Sequence, residues 1–268
     1  LIRKIMQYMK KRRKWMKVSI ITVTYNNDSN LKKTLDALLR QDYDEIESII
    51  IDGGSTDHSV EIIKKFEKRF RGTVKWVSEK DNGLYNALNK GLGMVTGDII
   101  GCYWDEYATD DTISKIVKKI QTENCDGAHG DLIIVDGDKT VRYWKMGEGK
   151  IKNGWMPAHP TLYLKKEVYE KYGVYKENYK CSADYEFMVR SLKDGSVKLA
   201  YIPEILIRMF YGGVSTNGFS AYKQSINESV RALKENGFKH PYYVILKRVM
   251  KTVGQFRYHK KCKYSMRE

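Results

Sequence analysis

Short apolar runs alternate with amphipathic segments along the first part of the chain. Four mostly apolar runs of five or six residues are typical of buried strands: residues 18–23, 46–51, 74–78 and 98–103. Three segments between them carry apolar residues at helical spacing: 28–39, 60–70 and 84–94. Strands and helices that alternate at these intervals predict right-handed crossovers and a parallel sheet flanked by helices, an α/β fold.

The pattern is less regular after residue 110. We expect helices over 112–120, 182–192 and 219–235, a last helix entered through Pro241, strands over 127–135, 141–144 and 197–207, a hairpin turn at 136–138, and an irregular loop over 145–160. The sequence contains no internal repeat and no low-complexity segment.

Composition narrows the class of protein. The 268 residues are 42% hydrophobic, which suits one large α/β domain with appendages. No run approaches the roughly 18 apolar residues of a membrane-spanning helix, and residues 1–17 lack the apolar core of a signal peptide. The four cysteines are scattered without a CxxC pair, which argues against a zinc site or a disulfide framework and favours a reducing cytoplasm.

The net charge of +15 belongs to the two ends of the chain. Residues 1–17 and 239–268 together hold 17 Lys or Arg and one acidic residue, so the segment 18–238 carries −1. A nucleic-acid groove spreads basic residues over the body of a domain, so we predict no nucleic-acid partner. If the chain were a nucleic-acid-binding protein, deleting both ends should remove all of its affinity for nucleic acid. That experiment distinguishes this class.

The basic ends also carry apolar residues at helical spacing. These residues are Ile2, Ile5, Met6 and Met9 near the start and Val249, Met250, Val253 and Phe256 near the end. Basic amphipathic helices suit an anionic membrane surface, so one hypothesis is peripheral attachment to the inner face of the cell membrane. The alternative is a solvated tail and, for residues 1–15, an extension ahead of a start at Met16.

Polar clusters follow each of the four predicted strands. They are Thr24-Tyr25-Asn26, residues 52–57, residues 79–83 and Trp104-Asp105-Glu106. Turn chemistry alone explains any one of them. Since ligands of open parallel sheets bind beyond the carboxyl ends of the strands, four such clusters at one edge favour a ligand site. Neither GxGxxG nor GxxxxGK[ST] is present, which argues against a dinucleotide fold and a P-loop.

These motifs, in this order, resemble those of the family 2 glycosyltransferases, which are inverting enzymes with the GT-A fold. The resemblance rests on KVSIITVTYN at 17–26, IIDGGSTD at 50–57, EKDNGLYNALNKG at 79–91, TGDIIG at 96–101, PAHP at 157–160 and SADYEF at 182–187. It covers roughly residues 16–235 and is nearest to bacterial enzymes of capsular, exopolysaccharide or O-chain synthesis.

The resemblance implies a domain plan and a donor site. A basic extension (1–15) would precede a catalytic domain (16–238), with a nucleotide-binding half over about 16–106 and an acceptor half over about 107–238, and a basic helix and tail (239–268) would follow. The nucleotide would contact Thr24, Tyr25, Asn26, Asp52, Asp81 and Lys90. For Tyr25 and Lys90, packing or solvation is a nearly equal alternative. The donor would be a UDP-sugar, and the acceptor a glycan or a lipid-linked glycan.

The expected metal site departs from the family pattern. Relatives carry an acidic pair after the fourth strand, whereas this chain has Trp104-Asp105-Glu106, one residue shorter and with Glu in the last place. Since Mg²⁺ and Mn²⁺ accept Glu as well as Asp, we predict that Asp105 and Glu106 hold the divalent cation. Asp110 and Asp111 are the alternative ligands, although residues at a helix start are more often capping residues.

Two residues of the acceptor half are candidates for catalysis. By the resemblance, Asp184 is the general base that takes the proton of the acceptor hydroxyl. From the sequence alone, capping of the helix by Ser182 and Asp184 is the simpler explanation. His159 either contacts phosphate or acceptor, or is an ordinary loop histidine.

One further class of protein stays open, and a related one is disfavoured. The altered acidic motif also fits a catalytically impaired glycosyltransferase-like subunit that binds nucleotide or a partner without turnover. Release of a nucleoside diphosphate would exclude it. A nucleotidyltransferase usually carries a Gly-rich basic first loop, which the segment at 24–27 is not.

Overall fold

A computed structural model describes residues 15–212 and 218–258. The strands are β1 (Val18–Thr24), β2 (Ile46–Asp52), β3 (Thr73–Ser78), β4 (Ile99–Cys102), β5 (Glu106–Tyr107), β6 (Gly127–Asp136), β7 (Lys139–Trp144), β8 (Tyr163–Lys165) and β9 (Leu199–Phe210). The helices are α1 (Asp28–Leu39), α2 (Ser59–Glu67), α3 (Leu84–Met94), α4 (Thr112–Glu123), α5 (Lys166–Tyr172), α6 (Ala183–Leu192), α7 (Gly218–Glu235) and α8 (Pro241–Tyr258). Among these residues, no helix is long and apolar enough to cross a membrane.

All described strands join one sheet in the order β3-β2-β1-β4-β8-β6-β9-β5, and β7 pairs with β6 outside this path. Strands β3, β2, β1 and β4 are parallel, as the sequence predicts. The second half is mixed, because β8 runs antiparallel to both β4 and β6, and β5 runs antiparallel to β9. Two antiparallel steps make β6 parallel to β4, so both strands end at the edge where β1 and β2 end.

Three elements are absent from the sequence prediction. Strands β5 and β8 have two and three residues, and α5 directly follows β8. Segments this short show no periodicity, so only pairing with distant strands defines them.

The core lies on both faces of the sheet, because β1 and β2 are apolar at consecutive positions. Ile20 and Ile50 pack toward α1 and α2 on one face. Ile21 and Ile49 pack toward α3 and the later helices on the other. All four are fully buried, and each contributes about 1.5–3 kcal/mol by leaving water.

One glycine sets the distance between α3 and β1. A Cβ atom built on Gly91 would lie 2.5 Å from Cγ2 of Ile21, whereas one on Gly93 would meet nothing within 4 Å. Gly91 therefore allows α3 to pack directly on the strand that leads into the first polar cluster.

A buried carboxylate joins the first strands. Glu47 is fully buried on β2 and pairs with Lys17 at 2.8 Å and Lys75 at 3.3 Å. Its oxygens also accept hydrogen bonds from the hydroxyls of Ser19 and Thr96. Burial alone would raise the pKa of Glu47, but these hydrogen bonds outweigh it and lower the pKa to about 2. The ionised carboxylate therefore stabilises the fold at neutral pH.

Candidate active site

The loops after β1 and β2 are hydrogen-bonded to each other. The amide of Asn26 donates to Oγ of Ser55 at 2.8 Å, and the amide of Thr56 donates to Oδ1 of Asn26 at 2.8 Å. Asn26 has φ 45°, a left-handed conformation that Asn tolerates better than most residues. The amide of Gly53 donates to the carbonyl of Thr24 at 2.9 Å. The first two sequence-predicted clusters thus form one surface.

Asp52 lies beneath this surface and hydrogen-bonds the residues around it. Its side chain is fully buried, and its carboxylate accepts the amide of Ser55 at 3.0 Å, the hydroxyl of Ser55 and the hydroxyl of Ser78 at 2.6 Å. These bonds connect the ends of β2 and β3. The contact between Asp52 and a base or ribose stays a prediction, and the described contacts of Asp52 are internal.

Tyr25 and Asp81 meet above Gly53. A Cβ atom at position 53 would lie 2.8 Å from Oδ2 of Asp81 and 3.3 Å from Cδ2 of Tyr25. Oδ1 of Asp81 accepts the amide of Gly83 at 2.8 Å, and the Tyr25 ring is 64% exposed. The site thus offers an exposed aromatic ring beside a carboxylate, a combination that can stack a base and accept its N–H groups. Gly53 makes this approach possible, and the Gly-Gly pair was the available sequence signal for it.

Lys90 lies on α3 and is already paired. Its Nζ lies 2.6 Å from a carboxylate oxygen of Glu79 and 3.4 Å from the carbonyl of Lys80. A phosphate would have to compete with Glu79 for this ammonium group. The phosphate contact of Lys90 therefore stays a prediction.

Asp105 is buried between the end of β4 and the end of β9. It is 3% exposed, Oδ1 accepts the amide of Phe210 at 3.0 Å, and Oδ2 has no hydrogen-bond partner among the described residues. Burial raises the pKa of Asp105 to about 7, and the hydrogen bond from Phe210 offsets only part of this effect.

Glu106 is held elsewhere. Its carboxylate lies 3.4 Å from Nε of Arg208, its partner across the β5–β9 pair, and 3.9 Å from Arg40. Asp105 and Glu106 thus have different surroundings, Asp105 against the Phe210 amide and Glu106 beside two arginines. The alternative ligands are also engaged, Asp110 by Arg40 and Asp111 by Lys115.

The protein therefore offers few side chains that could coordinate a divalent cation. In the described part of the chain, no group of three His, Cys, Asp or Glu side chains is arranged to hold a metal ion. The unpartnered Oδ2 of Asp105 offers one carboxylate oxygen. That suits a cation such as Mg²⁺, which keeps several waters and takes one or two carboxylates plus substrate phosphates.

Asp184 lies in the first turn of α6 and faces α3. Its Oδ1 accepts a hydrogen bond from the hydroxyl of Tyr85 at 3.0 Å. Burial, followed by the charge of Asp184, raises the pKa of Tyr85 far above its usual value, so the phenol stays protonated and donates. Neither Ser182 nor Asp184 caps the helix: no side-chain cap bond is present, and the Ser182 hydroxyl contacts Ser225 instead. The structure thus contradicts the capping interpretation.

His159 lies within the electrostatic reach of Asp184 and beside Trp104. Its Nε2 lies 2.8 Å from the hydroxyl of Tyr175, and its ring centroid lies 5.7 Å from that of Trp104. Burial lowers the pKa of His159, and the Asp184 charge opposes this effect, so the imidazole is neutral at pH 7. Trp104 and His159 thus form an aromatic wall near Asp184. The sequence predicted a site role for His159 but none for the Trp104 ring.

Two cavities of the described residues lie away from these side chains. One of about 250 Å³ lies between Trp144, Trp155 and Arg248, and another of about 370 Å³ lies between residues 148–155 and 192–199. None of the predicted donor-site residues lines either cavity.

Several glycosyltransferases are similar to this chain in sequence. An uncharacterized glycosyltransferase of Haemophilus influenzae is 28% identical over 245 residues, covering 83% of this chain and 73% of that protein. A PGL/p-HBAD biosynthesis glycosyltransferase of Mycobacterium bovis is 24% identical over 208 residues, covering 74% and 78%. An uncharacterized glycosyltransferase of Nostoc is 28% identical over 170 residues, covering 58% of this chain and 53% of that protein, so the chain spans about half of that relative.

Solved structures share the fold. Staphylococcus aureus TarS 1–349 superposes with a TM-score of 0.66 at 15% identity, covering 94% of this chain and 76% of that chain. The mannosyltransferase PcManGT of Pyrobaculum calidifontis, solved with GDP-Man and Mn²⁺, gives 0.62 at 16% identity and covers 93% and 81%. These neighbours confirm the predicted GT-A fold. The family model described as glycosyl transferase family 2 matches residues 19–186. This chain belongs to glycosyl transferase family 2.

Proposed function

We propose that this chain transfers a sugar from a nucleoside-diphosphate donor, a UDP-sugar in the simplest case, to a hydroxyl group of a glycan or lipid-linked acceptor during bacterial surface polysaccharide synthesis. The observation that carries the proposal is the Asp184 carboxylate, held by Tyr85 near the edge where β1 to β4 end. In support, TarS has been solved with UDP and with UDP-GlcNAc.

The proposed reaction is a displacement with inversion. The acceptor oxygen forms a bond to the anomeric carbon while the bond from that carbon to the diphosphate breaks on the opposite face. Asp184 takes the hydroxyl proton, and the diphosphate leaves with the bonding electrons. Tyr85 keeps the carboxylate oriented by donating to one oxygen, which leaves the other oxygen for the acceptor.

The donor half would bind the nucleotide at Tyr25, Asp81 and the interlocked loops after β1 and β2. A divalent cation, when bound, neutralises charge on the leaving diphosphate. Asp105 would hold it together with donor phosphate oxygens. Glu106 would not hold it while paired with Arg208.

Calorimetric titration of UDP and GDP, with and without Mn²⁺, tests the donor site. We expect Tyr25→Ala to weaken binding about tenfold, since stacking of a base on an aromatic ring is worth about 1–3 kcal/mol. Tyr242→Ala, which removes an equally exposed ring on α8, is the matched control and should bind as wild type does. Equal affinity of wild type and Tyr25→Ala would contradict this assignment.

Asp184→Asn separates binding from chemistry. We expect it to bind the donor normally and to release no nucleoside diphosphate above background, because a neutral amide cannot take the proton. The anomeric configuration of the product, measured by NMR, tests inversion.

A catalytically impaired nucleotide-binding subunit is the second candidate function. The pairing of Glu106 with Arg208 and Arg40 and the burial of Asp105 favour it, since both reduce the carboxylates open to a cation. Nucleotide binding without release of diphosphate from any donor, in the presence of candidate acceptors, would support it.

A further inference from the structure

The last described helix carries an apolar stripe that faces solvent. Five side chains of α8 are each between 55% and 67% exposed: Tyr242, Tyr243, Leu246, Met250 and Val253. At about 100° per residue they fall within an arc of about 100°. The opposite face of α8 is anchored, because Val244 and Ile245 are buried against the core. The α8 stripe, meaning these five residues, is therefore an outward face of a firmly packed helix.

Basic residues border the α8 stripe, and the segment of the sequence around it contains no acidic residue. Lys247 and Lys251 follow one edge of the arc, and Nζ of Lys247 lies 4.3 Å from the ring centroid of Tyr243. From residue 239 to residue 267 the sequence has nine Lys or Arg and no Asp or Glu. An apolar strip with a cationic border matches a surface that is anionic outside and apolar beneath.

We propose that the α8 stripe binds the surface of an anionic lipid bilayer, with α8 lying in the plane of the interface. Tyrosine rings are favoured at headgroup depth, where one end of the ring is apolar and the hydroxyl stays hydrated. Leu246, Met250 and Val253 would then enter the acyl boundary. A second copy of this chain is the poorer occupant, since symmetric pairing through this face would bring the lysines of two copies together.

The structure modifies the membrane interface predicted from sequence. Val249 is partly buried and packs against the core, so it lies outside the stripe. Tyr242, Tyr243 and Leu246 belong to it instead. Ile2, Ile5, Met6 and Met9 lie outside the described residues, and the side chain of Phe256 is not described.

The position of α8 also relates the membrane to the acceptor half. Arg248 and Thr252, on the side of α8 opposite the stripe, line the cavity of about 250 Å³ with Trp144 and Trp155. A bilayer on the outer face of α8 would thus lie about one helix diameter, roughly 10 Å, from this cavity. That arrangement suits a lipid-linked acceptor.

Vesicle flotation of the full 268-residue chain tests the proposal. Vesicles of phosphatidylcholine alone are compared with vesicles that also contain phosphatidylglycerol. We expect binding only to the anionic vesicles, weakened by salt. The double variant Leu246→Ser with Met250→Ser should bind at least tenfold more weakly, since burial of each side chain is worth about 1.5–3 kcal/mol. Val174→Ser, which removes an exposed apolar side chain away from α8, is the matched control and should bind normally.

The lysines give an independent measurement. The double variant Lys247→Ser with Lys251→Ser should lose about 30-fold in affinity, since each lysine near an anionic surface contributes about fivefold. Residues 1–17 and 259–268 are unchanged in every variant, so unchanged binding of the Leu246/Met250 variant would assign attachment to those segments and overturn the proposal. Absence of wild-type binding would also overturn it, as would a dimer that the same variant dissociates. Because flotation needs neither donor nor turnover, the result stands apart from the proposed transferase activity.

Discussion

Replacing Asp105 by Asn is expected to change how the stability of the protein depends on pH. In the folded protein Asp105 has a pKa of about 7, against an ordinary value of 3.8, because it is buried with one oxygen unpartnered in the described structure. A carboxyl group whose pKa is raised by folding contributes stability that is fully present below pH 3.8. That contribution is lost as the pH rises through 7.

The magnitude follows from the shift. A change of about 3 pKa units corresponds to about 4 kcal/mol over the whole titration, of which about 2–3 kcal/mol falls between pH 5 and pH 8. Asparagine is neutral throughout and keeps an oxygen for the Phe210 amide. Its extra N–H groups next to the position of Oδ2 cost about 1–3 kcal/mol, but this cost does not vary with pH.

Urea unfolding of wild type and Asp105→Asn at pH 5 and pH 8, with a chelator and without nucleotide, measures the effect. The free energy of unfolding of the variant, relative to wild type, should rise by about 2–3 kcal/mol between the two pH values. Asp110→Asn, which loses an exposed pair with Arg40, is the control and should stay within about 1 kcal/mol of wild type at both. An Asp105→Asn difference that is the same at pH 5 and pH 8 would refute the argument from burial. Mn²⁺ with UDP should stabilise wild type at pH 8 more than it stabilises Asp105→Asn if Asp105 holds the cation.

Three other predictions concern a residue that contacts Asp184 and two residues that stabilise the fold. Tyr85→Phe should lower kcat about 10-fold to 100-fold with donor binding unchanged, because a hydrogen bond to the charged Asp184 is worth about 1.5–3 kcal/mol; unchanged turnover would exclude a positioning role. In urea unfolding, Gly91→Ala should destabilise by about 1–3 kcal/mol through overpacking, whereas Gly93→Ala should stabilise by about 0.5–1 kcal/mol through helix propensity, and equal effects would contradict the close packing of α3. Glu47, with its pKa lowered to about 2, should contribute about 3 kcal/mol above pH 4.5 and lose it as the pH falls through 2, so wild type and Glu47→Gln should converge in stability at acid pH; a constant difference would refute this.

The parts of the fold that were predictable are those encoded by local pattern. Strands β1 to β4 and helix α3 follow from apolar runs and spacing, and their ends agree with the sequence within about two residues. Strands β5 and β8 were not predictable, since a strand of two or three residues exists only through its partners. The pairing of Glu106 with Arg208 in β9 is such a case.

The candidate site also has a predictable and an unpredictable part. The clusters after β1 and β2 could be placed at one edge from the sequence, because parallel strands bring their carboxyl ends together. The hydrogen-bond partners of the side chains could not be predicted. Tyr85 and Asp184 are 99 residues apart, and Asp105 and Phe210 are 105 apart, so no local pattern connects them. Only the folded chain shows that Asp52 is enclosed and Tyr25 open.

The short acidic motif has a structural reason that also explains why Asp105 is buried. The Tyr103 and Tyr107 rings stack with centroids 3.9 Å apart, and the amide of Tyr107 donates to the Tyr103 hydroxyl at 2.7 Å. This stack closes the segment between β4 and β5 and holds Asp105 against the Phe210 amide at the end of β9. Asp105 therefore connects the segment after β4 to the end of β9. A ligand that draws its carboxylate toward the donor site must weaken that connection, so donor binding and the position of β9 are expected to be coupled.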